Sequence, residues 1–145
     1  SEHRRFPKKE IERQVDEKLE LLELADAKYK TPSEISGGMK KRVALARVLM
    51  SNPDIILYDE PTTGLDPVMS MVISDLIRQM QRDFGVTSLV VTHDMKSAFY
   101  VGDRIGMLYG GELVQVGTPD EIMNSDNQVV RQFINGDLEG PIRAQ

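Results

Sequence analysis

Apolar residues in the first part of the chain recur at helical spacing. In a strongly charged segment they fall at intervals of four, four and three residues and predict one stripe of an amphipathic helix: Ile11, Val15, Leu19 and Leu22. Pro7 suits the first position of this helix, which we expect to end near residues 25–28. A loop around Pro32 follows, and a second helix is predicted from about Met39 to Met50. Its core-facing residues are predicted to be Leu45, Val48 and Leu49.

Beyond this helical segment the pattern changes to strands that alternate with helices. Two short apolar runs predict strands that are covered on both faces of a parallel sheet: "DIILYD" and "VTSLVVTH". Between them, Asp66 and Pro67 predict the start of a helix, and Gly85 predicts its end. A short helix is expected from about Asp94 to Val101. Together these elements predict an α/β fold with a parallel core.

The last part of the chain carries local signals for a hairpin and for helix starts. Gly110 and Gly111 separate two apolar runs, which is the pattern of a tight β-hairpin. Thr118 and Glu121 flank Pro119 in a capping-box arrangement that predicts a helix start. A final short helix is expected around residues 129–134.

The composition excludes several classes of function. The chain has 145 residues, 40% apolar and 28% charged, which is a normal globular balance. Its net charge of -5 argues against a surface built mainly to bind nucleic acid. It contains no cysteine, which rules out disulfides, thiol chemistry and cysteine-ligated zinc. No apolar run approaches the length of a membrane-spanning helix, so a membrane role would need a partner.

Three polar side chains follow the two predicted strands. Asp59 and Glu60 end the first strand, and His93 ends the second. In an open parallel sheet these ends share one edge, where ligands gather. One carboxylate there suits Mg²⁺, and its neighbour can orient or deprotonate water. Taken singly, each residue reads more simply as a polar group leaving a strand, but the combination favours a site.

A second candidate site is the stretch "ISGGMKKR". Ser36, Gly37 and Gly38 precede a helical segment, and the start of a helix can present backbone N–H groups to a phosphate. The three basic residues that follow are expected to form a solvated helix start: Lys40, Lys41 and Arg42. The sequence therefore predicts an anion contact at this helix.

Four motifs in this order resemble the second half of an ABC transporter nucleotide-binding domain. They are "ISGGMKKRVALARVL", "IILYDEP", "TTGLDP" and "VVTHD", which resemble the signature motif, the Walker B motif with its catalytic glutamate, the D-loop and the H-loop. The resemblance implies ATP and Mg²⁺ as cofactors. It also implies a partial P-loop NTPase (RecA-like) core with parallel strands and a C-terminal β-hairpin, preceded by a helical signature subdomain.

The resemblance assigns roles to individual residues. It implies that Asp59 supports Mg²⁺, that Glu60 polarises the attacking water and that His93 contacts the γ-phosphate. Asp66 resembles the D-loop aspartate that communicates across a dimer. The residues that resemble those touching ATP held by the opposite subunit are Ser36, Gly37 and Gly38. Met39 departs from the glutamine commonest at the end of this motif, which puts a side-chain contact there in doubt.

The P-loop pattern is missing from this sequence. No Gly-Lys pair occurs in the chain, so the usual grip on the β- and γ-phosphates is absent. We therefore expect a fragment that begins after the Q-loop, with residues 1–52 in the helical subdomain and residues 53–145 in the ATPase core. Such a fragment should be inactive alone and should self-associate through exposed edges and apolar surface.

Finer resemblance points to one kind of transporter. The stretches "SGGM" and "GLDP" and the tail "VVRQFINGDLEGPI" resemble the ATPases of MCE-type, Mla-like phospholipid transport systems. This implies a cytoplasmic ATPase that is peripheral on the membrane, pairs with a second nucleotide-binding domain and binds an integral membrane permease. The alternatives are another ABC importer or exporter, for amino acids or drugs, a non-transport ABC ATPase, and an interaction module without turnover.

Overall fold

The computed structural model describes residues 7–143. The chain forms two compact units, Ser1–Val91 and Thr92–Gln145. The first unit contains three helices, two short 3-10 turns and two strands: α1 (Lys8–Leu21), the turns Ala25–Ala27 and Pro32–Glu34, α2 (Gly37–Leu49), β1 (Ile55–Asp59), α3 (Pro67–Phe84) and β2 (Thr87–Val91). The predicted boundary after residue 52 stays a prediction. Within residues 7–143, no helix is long and apolar enough to cross a membrane.

Helix α1 ends earlier than residues 25–28. Glu23 adopts a left-handed backbone with φ of 54°, which a helix cannot continue through, and the chain then enters the 3-10 turn. This reversal buries Leu22 and Leu24 almost completely. At the other end of the predicted stripe, Ile11 is exposed. Burial therefore concentrates where α1 ends, rather than along the whole stripe.

Helix α2 buries a slightly different face from the predicted one. Leu45 and Leu49 are buried as expected, but Val48 is 41% exposed and Ala46 is buried in its place. At 100° per residue, Leu45, Ala46 and Leu49 lie within one arc, and Val48 lies well to one side of its centre. The prediction for Val48 was wrong because spacing alone did not fix the centre of the buried arc.

The predicted strands pair in parallel, with Ile55 opposite Thr87 and Asp59 opposite Val91. Helix α3 connects them; it begins after Asp66 and ends at Gly85, as the sequence predicts. One face of the sheet is buried, with Ile56 only 3% exposed. The other face is exposed, and its apolar residues are Ile55, Leu57, Leu89 and Val91. The prediction that both faces of the sheet are covered is therefore wrong for the described residues.

The second unit combines a hairpin with three short helices: α4 (Met95–Val101), β3 (Ile105–Tyr109), β4 (Glu112–Gly117), α5 (Pro119–Met123) and α6 (Gln128–Asn135). The antiparallel strands β3 and β4 meet at Gly110 and Gly111, whose φ values of 60° and 85° suit a primed two-residue turn. Thr118 caps α5, and its backbone N–H donates to the Glu121 carboxylate at 2.8 Å. Both local predictions are confirmed.

The tail of the second unit is held by one buried side chain. Gln132 on α6 is 6% exposed, and its amide N–H group donates to the carbonyls of Asp137 and Ile142 at 3.2 and 3.0 Å. The Ile142 N–H donates back to the Gln132 amide oxygen at 2.7 Å. The Tyr109 hydroxyl donates to the Pro141 carbonyl at 3.1 Å. These bonds fix residues 137–142 against α6 and the hairpin.

Candidate functional site

The paired carboxylates lie at the carboxyl end of β1. Asp59 is the last residue of the strand and stands opposite Val91, the last residue of β2. The backbone N–H of Glu60 donates to the Val91 carbonyl at 2.9 Å, so the pairing extends one step past the strand. Both carboxylates therefore sit at the edge of the sheet where ligands of parallel α/β folds gather.

Glu60 has an unusual backbone conformation. Its φ is +45°, although it is not a glycine and precedes Pro61, a position that normally favours an extended backbone. A conformation of this kind costs on the order of 1–3 kcal/mol and persists where the surrounding structure enforces it. The Thr63 hydroxyl donates to the Glu60 carboxylate at 3.3 Å. This strain in the Glu60 backbone supports a functional constraint on the residue, and no local sequence pattern predicted it.

The Asp59 carboxylate is suited to be one of several ligands of a magnesium ion. The Asp59 side chain is exposed. Within residues 7–143, it forms no hydrogen bond and no ion pair. That same part of the chain holds no group of three or more acidic or histidine side chains that could bind a metal by itself. Mg²⁺ commonly takes only one or two protein carboxylates and completes its shell with water and phosphate oxygens. The residues present fit that pattern.

Ser36 and the two glycines form the start of α2. The Ser36 side chain accepts a hydrogen bond from the Met39 N–H at 3.2 Å, and Gly37 and Gly38 are the first two helical residues. The first N–H groups of a helix have no acceptor within the helix, so those of the glycines can serve an anion. The hydrogen bond that Met39 makes to Ser36 uses the Met39 backbone N–H and not its side chain. The departure from glutamine thus leaves this helix start intact.

Asp66 has a structural role in addition to its proposed one. One carboxylate oxygen accepts hydrogen bonds from the N–H groups of Val68 and Met69, each at 3.0 Å, and so caps α3. The side chain is not buried by this contact. Its role across a dimer stays a prediction.

His93 belongs to the second unit and lies two residues beyond the end of β2. Asp94 beside it caps α4, because its carboxylate accepts bonds from Lys96 N–H at 3.1 Å and from the Ser97 hydroxyl at 2.7 Å. The bonds from Ser97 lower the pKa of Asp94, with smaller contributions from Lys96 and His93. His93 is therefore carried on a capped turn. Its convergence with Asp59 and Glu60 stays a prediction.

Arg42 is a residue that the sequence reasoning misjudged. It was expected on a solvated helix start, but its side chain is only 14% exposed. Its guanidinium donates to the Glu23 carboxylate at 2.8 Å and to the Leu22 carbonyl at 3.3 Å. Arg42 thus ties α2 to the end of α1. The partners lie about twenty residues away, so no local pattern could reveal this contact.

One family profile and several known proteins are similar to this chain. The profile of a family described as "ABC transporter" matches residues 1–63. The chain is 46% identical over 141 residues to the probable ribonucleotide transport ATP-binding protein mkl of Mycobacterium leprae, aligning 97% of this chain with 41% of that protein. It is 37% identical over 142 residues to the intermembrane phospholipid transport system ATP-binding protein MlaF of Haemophilus influenzae, aligning 98% of this chain with 54% of that protein. The methionine import ATP-binding protein MetN 1 of Staphylococcus epidermidis is 39% identical over 142 residues, aligning 94% of this chain with 42% of that protein. The chain therefore spans about half the length of these relatives, or less.

A solved structure agrees with these sequence likenesses. The cbiO1 protein of Clostridium perfringens, described as part of the ABC transporter complex cbiONQ, superposes with a TM-score of 0.79 at 31% identity. The match covers 91% of this chain and 53% of that one. The predicted α/β fold class is confirmed by this likeness, by the parallel strands and by the antiparallel hairpin.

Proposed function

The chain belongs to the ATP-binding proteins of ABC transporters, and from this premise we propose that it serves ATP hydrolysis that drives transport through a membrane permease. The observation that carries the proposal is the carboxylate pair at the carboxyl end of β1. Among the described residues, Asp59 has no side-chain partner there, and Glu60 is held in a left-handed backbone bonded to β2. The two neighbours thus have different environments, which suits different roles.

In this proposal each residue has a defined task. ATP would supply the phosphoryl group, and bound Mg²⁺ would neutralise the negative charge that develops on it. Asp59 would hold the metal, and Glu60 would orient or deprotonate water. Gly37 and Gly38, together with Ser36, would direct backbone donors toward the ATP of a second nucleotide-binding domain. His93 would contact the γ-phosphate.

The partners in the proposal are a second copy of the nucleotide-binding domain and an integral membrane permease. Asp66 would communicate across the dimer. The protein would act at the inner face of the cell membrane as a cytoplasmic, peripheral subunit, with no nucleic-acid partner. The net charge of -5 supports the last point.

We expect the 145-residue chain by itself to be inactive and to self-associate. Without a Gly-Lys pair it lacks the usual phosphate grip. The exposed sheet face supports self-association, because Leu57 is 72% exposed and Leu89 stands directly opposite it at 59%. A contiguous apolar face of this kind favours association in water.

For the cargo, we propose phospholipids, as in MCE-type, Mla-like systems. The support is the tail resemblance. The relatives do not discriminate, since proteins named for ribonucleotide, phospholipid and methionine transport lie between 37% and 46% identity. Another ABC importer or exporter is therefore the alternative. Purified transporter in vesicles should move labelled phospholipid on addition of ATP; movement of methionine or a ribonucleotide instead would contradict this proposal.

Glu60→Gln in the full-length protein tests the proposed hydrolysis. The change keeps the size of the side chain and removes the carboxylate that would act on water. We expect ATP binding to persist and kcat to fall by about 10²-fold or more. Glu112→Gln, an exposed change in the hairpin, is the matched control and should leave kcat unchanged. A Glu60→Gln protein that hydrolyses ATP at the wild-type rate would contradict the assignment.

A further inference from the structure

The first turn of α2 packs closely against the start of α3. Gly38 is buried, and a Cβ atom added to it would overlap the terminal methyl of Met69 and lie 3.9 Å from its sulfur. Gly37 differs, because a Cβ atom there would meet only Leu65, at an ordinary 3.9 Å. Of these two glycines, Gly38 is the one whose missing side chain leaves room for another residue of the same chain.

Backbone conformation does not explain a glycine at position 38. It is the second residue of α2, and it is not among the described glycines with positive φ. Glycine is a poor helix former compared with alanine, so a glycine in regular helix needs another reason. Close approach of the Met69 side chain provides that reason, independently of any ligand.

The backbone of Met69 is anchored by hydrogen bonds. The Met69 N–H donates to the Asp66 carboxylate at 3.0 Å. Before Asp66, the chain runs through turns in which the Leu65 N–H donates to the carbonyl of buried Thr62 and the Thr63 N–H donates to the carbonyl of Glu60. The Met69 backbone is therefore joined to a short, hydrogen-bonded segment that begins at Glu60.

We propose that Met69 is a positioning residue that couples the start of α2 to the Glu60–Asp66 segment within one chain. Its side chain fills the space left by Gly38, and through this contact a displacement of one helix start would influence the other. The inference rests on the proposed function for its catalytic meaning. The contact itself depends only on the packing of α2 against α3.

A double-mutant cycle in the 145-residue chain tests the contact. We combine Gly38→Ala and Met69→Ala and follow thermal unfolding by circular dichroism. With Met69 present, the new methyl must push the methionine aside, which offsets the helix-forming advantage of alanine. In the Met69→Ala background the advantage is realised, so Gly38→Ala should raise Tm by about 2–4 °C more than it does in the wild type.

Two controls make the cycle specific. Met71→Ala removes a methionine of the same helix that does not come within 4 Å of the Cβ position at Gly38, so it should show no coupling to Gly38→Ala. Gly37→Ala should likewise be additive with Met69→Ala. Equal Tm shifts for Gly38→Ala in the wild-type and Met69→Ala backgrounds would overturn the proposal.

The positioning role is tested by activity in the full-length protein. Met69→Ala should lower kcat about 2- to 30-fold with little change in the KM for ATP, whereas Met71→Ala should not. Met69→Ala with wild-type kcat would overturn the positioning role. A full-length protein that never hydrolyses ATP would instead contradict the proposed function, and the Tm cycle would still decide the contact.

Discussion

The Gln132 side chain offers a direct test of how the second unit holds its tail. Its amide makes three hydrogen bonds to the backbone of Asp137 and Ile142. Gln132→Ala leaves these groups without that partner, and each unsatisfied group costs about 1–3 kcal/mol, toward the lower limit where water can enter. Residues 137–141 are exposed, so we expect a total loss of about 3 kcal/mol in the free energy of unfolding.

Gly140 should show the same contact from the other side. Its φ is +156°, and a Cβ atom there would overlap the Gln132 amide. Gly140→Ala should therefore break the same hydrogen bonds and cost about as much as Gln132→Ala. In the Gln132→Ala background the overlap disappears, and only the backbone strain of about 1 kcal/mol should remain.

Urea unfolding followed by circular dichroism measures these differences. The slope with urea should stay constant, so that shifts of the midpoint report stability. Gln128→Ala, which removes another glutamine from the same helix, is the control and should stay within about 0.5 kcal/mol of wild type. The reasoning is refuted if Gln132→Ala costs no more than Gln128→Ala, or if Gly140→Ala costs the same in both backgrounds.

Three further expectations concern the rest of the molecule. Leu57→Glu or Leu89→Glu should shift the 145-residue chain toward monomer in light scattering, and a wild-type chain that is monomeric at high concentration would contradict self-association. Asp94→Ala should cost about 1 kcal/mol at pH 7 through loss of the α4 cap. Because the folded pKa of Asp94 is lowered, its ionisation contributes stability above the unfolded pKa near 3.9; this part is lost as pH falls through the folded pKa, so the gap to Asp94→Ala should narrow at low pH in urea unfolding. The isolated chain should show no ATP turnover, and turnover abolished by Glu60→Gln would contradict this.

Local chemistry accounts for what the sequence predicted well. The caps at Asp66 and Thr118 and the Gly110-Gly111 turn depend on residues a few positions apart, so the sequence contains their whole cause. The carboxyl-edge position of Asp59 followed from the strand pattern in the same way. Most of the evidence for the fold class, and the position of the carboxylate pair, could therefore be predicted from these local features.

Contacts between distant segments account for what could not be predicted. The apolar run at Leu57 by itself predicted a strand covered on both faces, because a local pattern does not reveal which elements cover a sheet; exposed apolar surface was expected only from the missing P-loop pattern. The burial of Arg42 depends on the reversal of the chain at Glu23. The left-handed backbone of Glu60 runs against its position before a proline, and only its bond to Val91 shows how the sheet holds it.

The backbone and the side chain of Glu60 have hydrogen-bond partners in different segments of the chain. Glu60 is fixed to β2 through its backbone, whereas its carboxylate is bonded to Thr63 in the following turn. In the proposed coupling, a displacement at Gly38 would reach that turn through Met69 and Asp66. The backbone and the carboxylate of the residue proposed to act on water therefore have partners in different segments of the chain: the backbone bonds to β2, and the carboxylate accepts a hydrogen bond from the turn that follows β1.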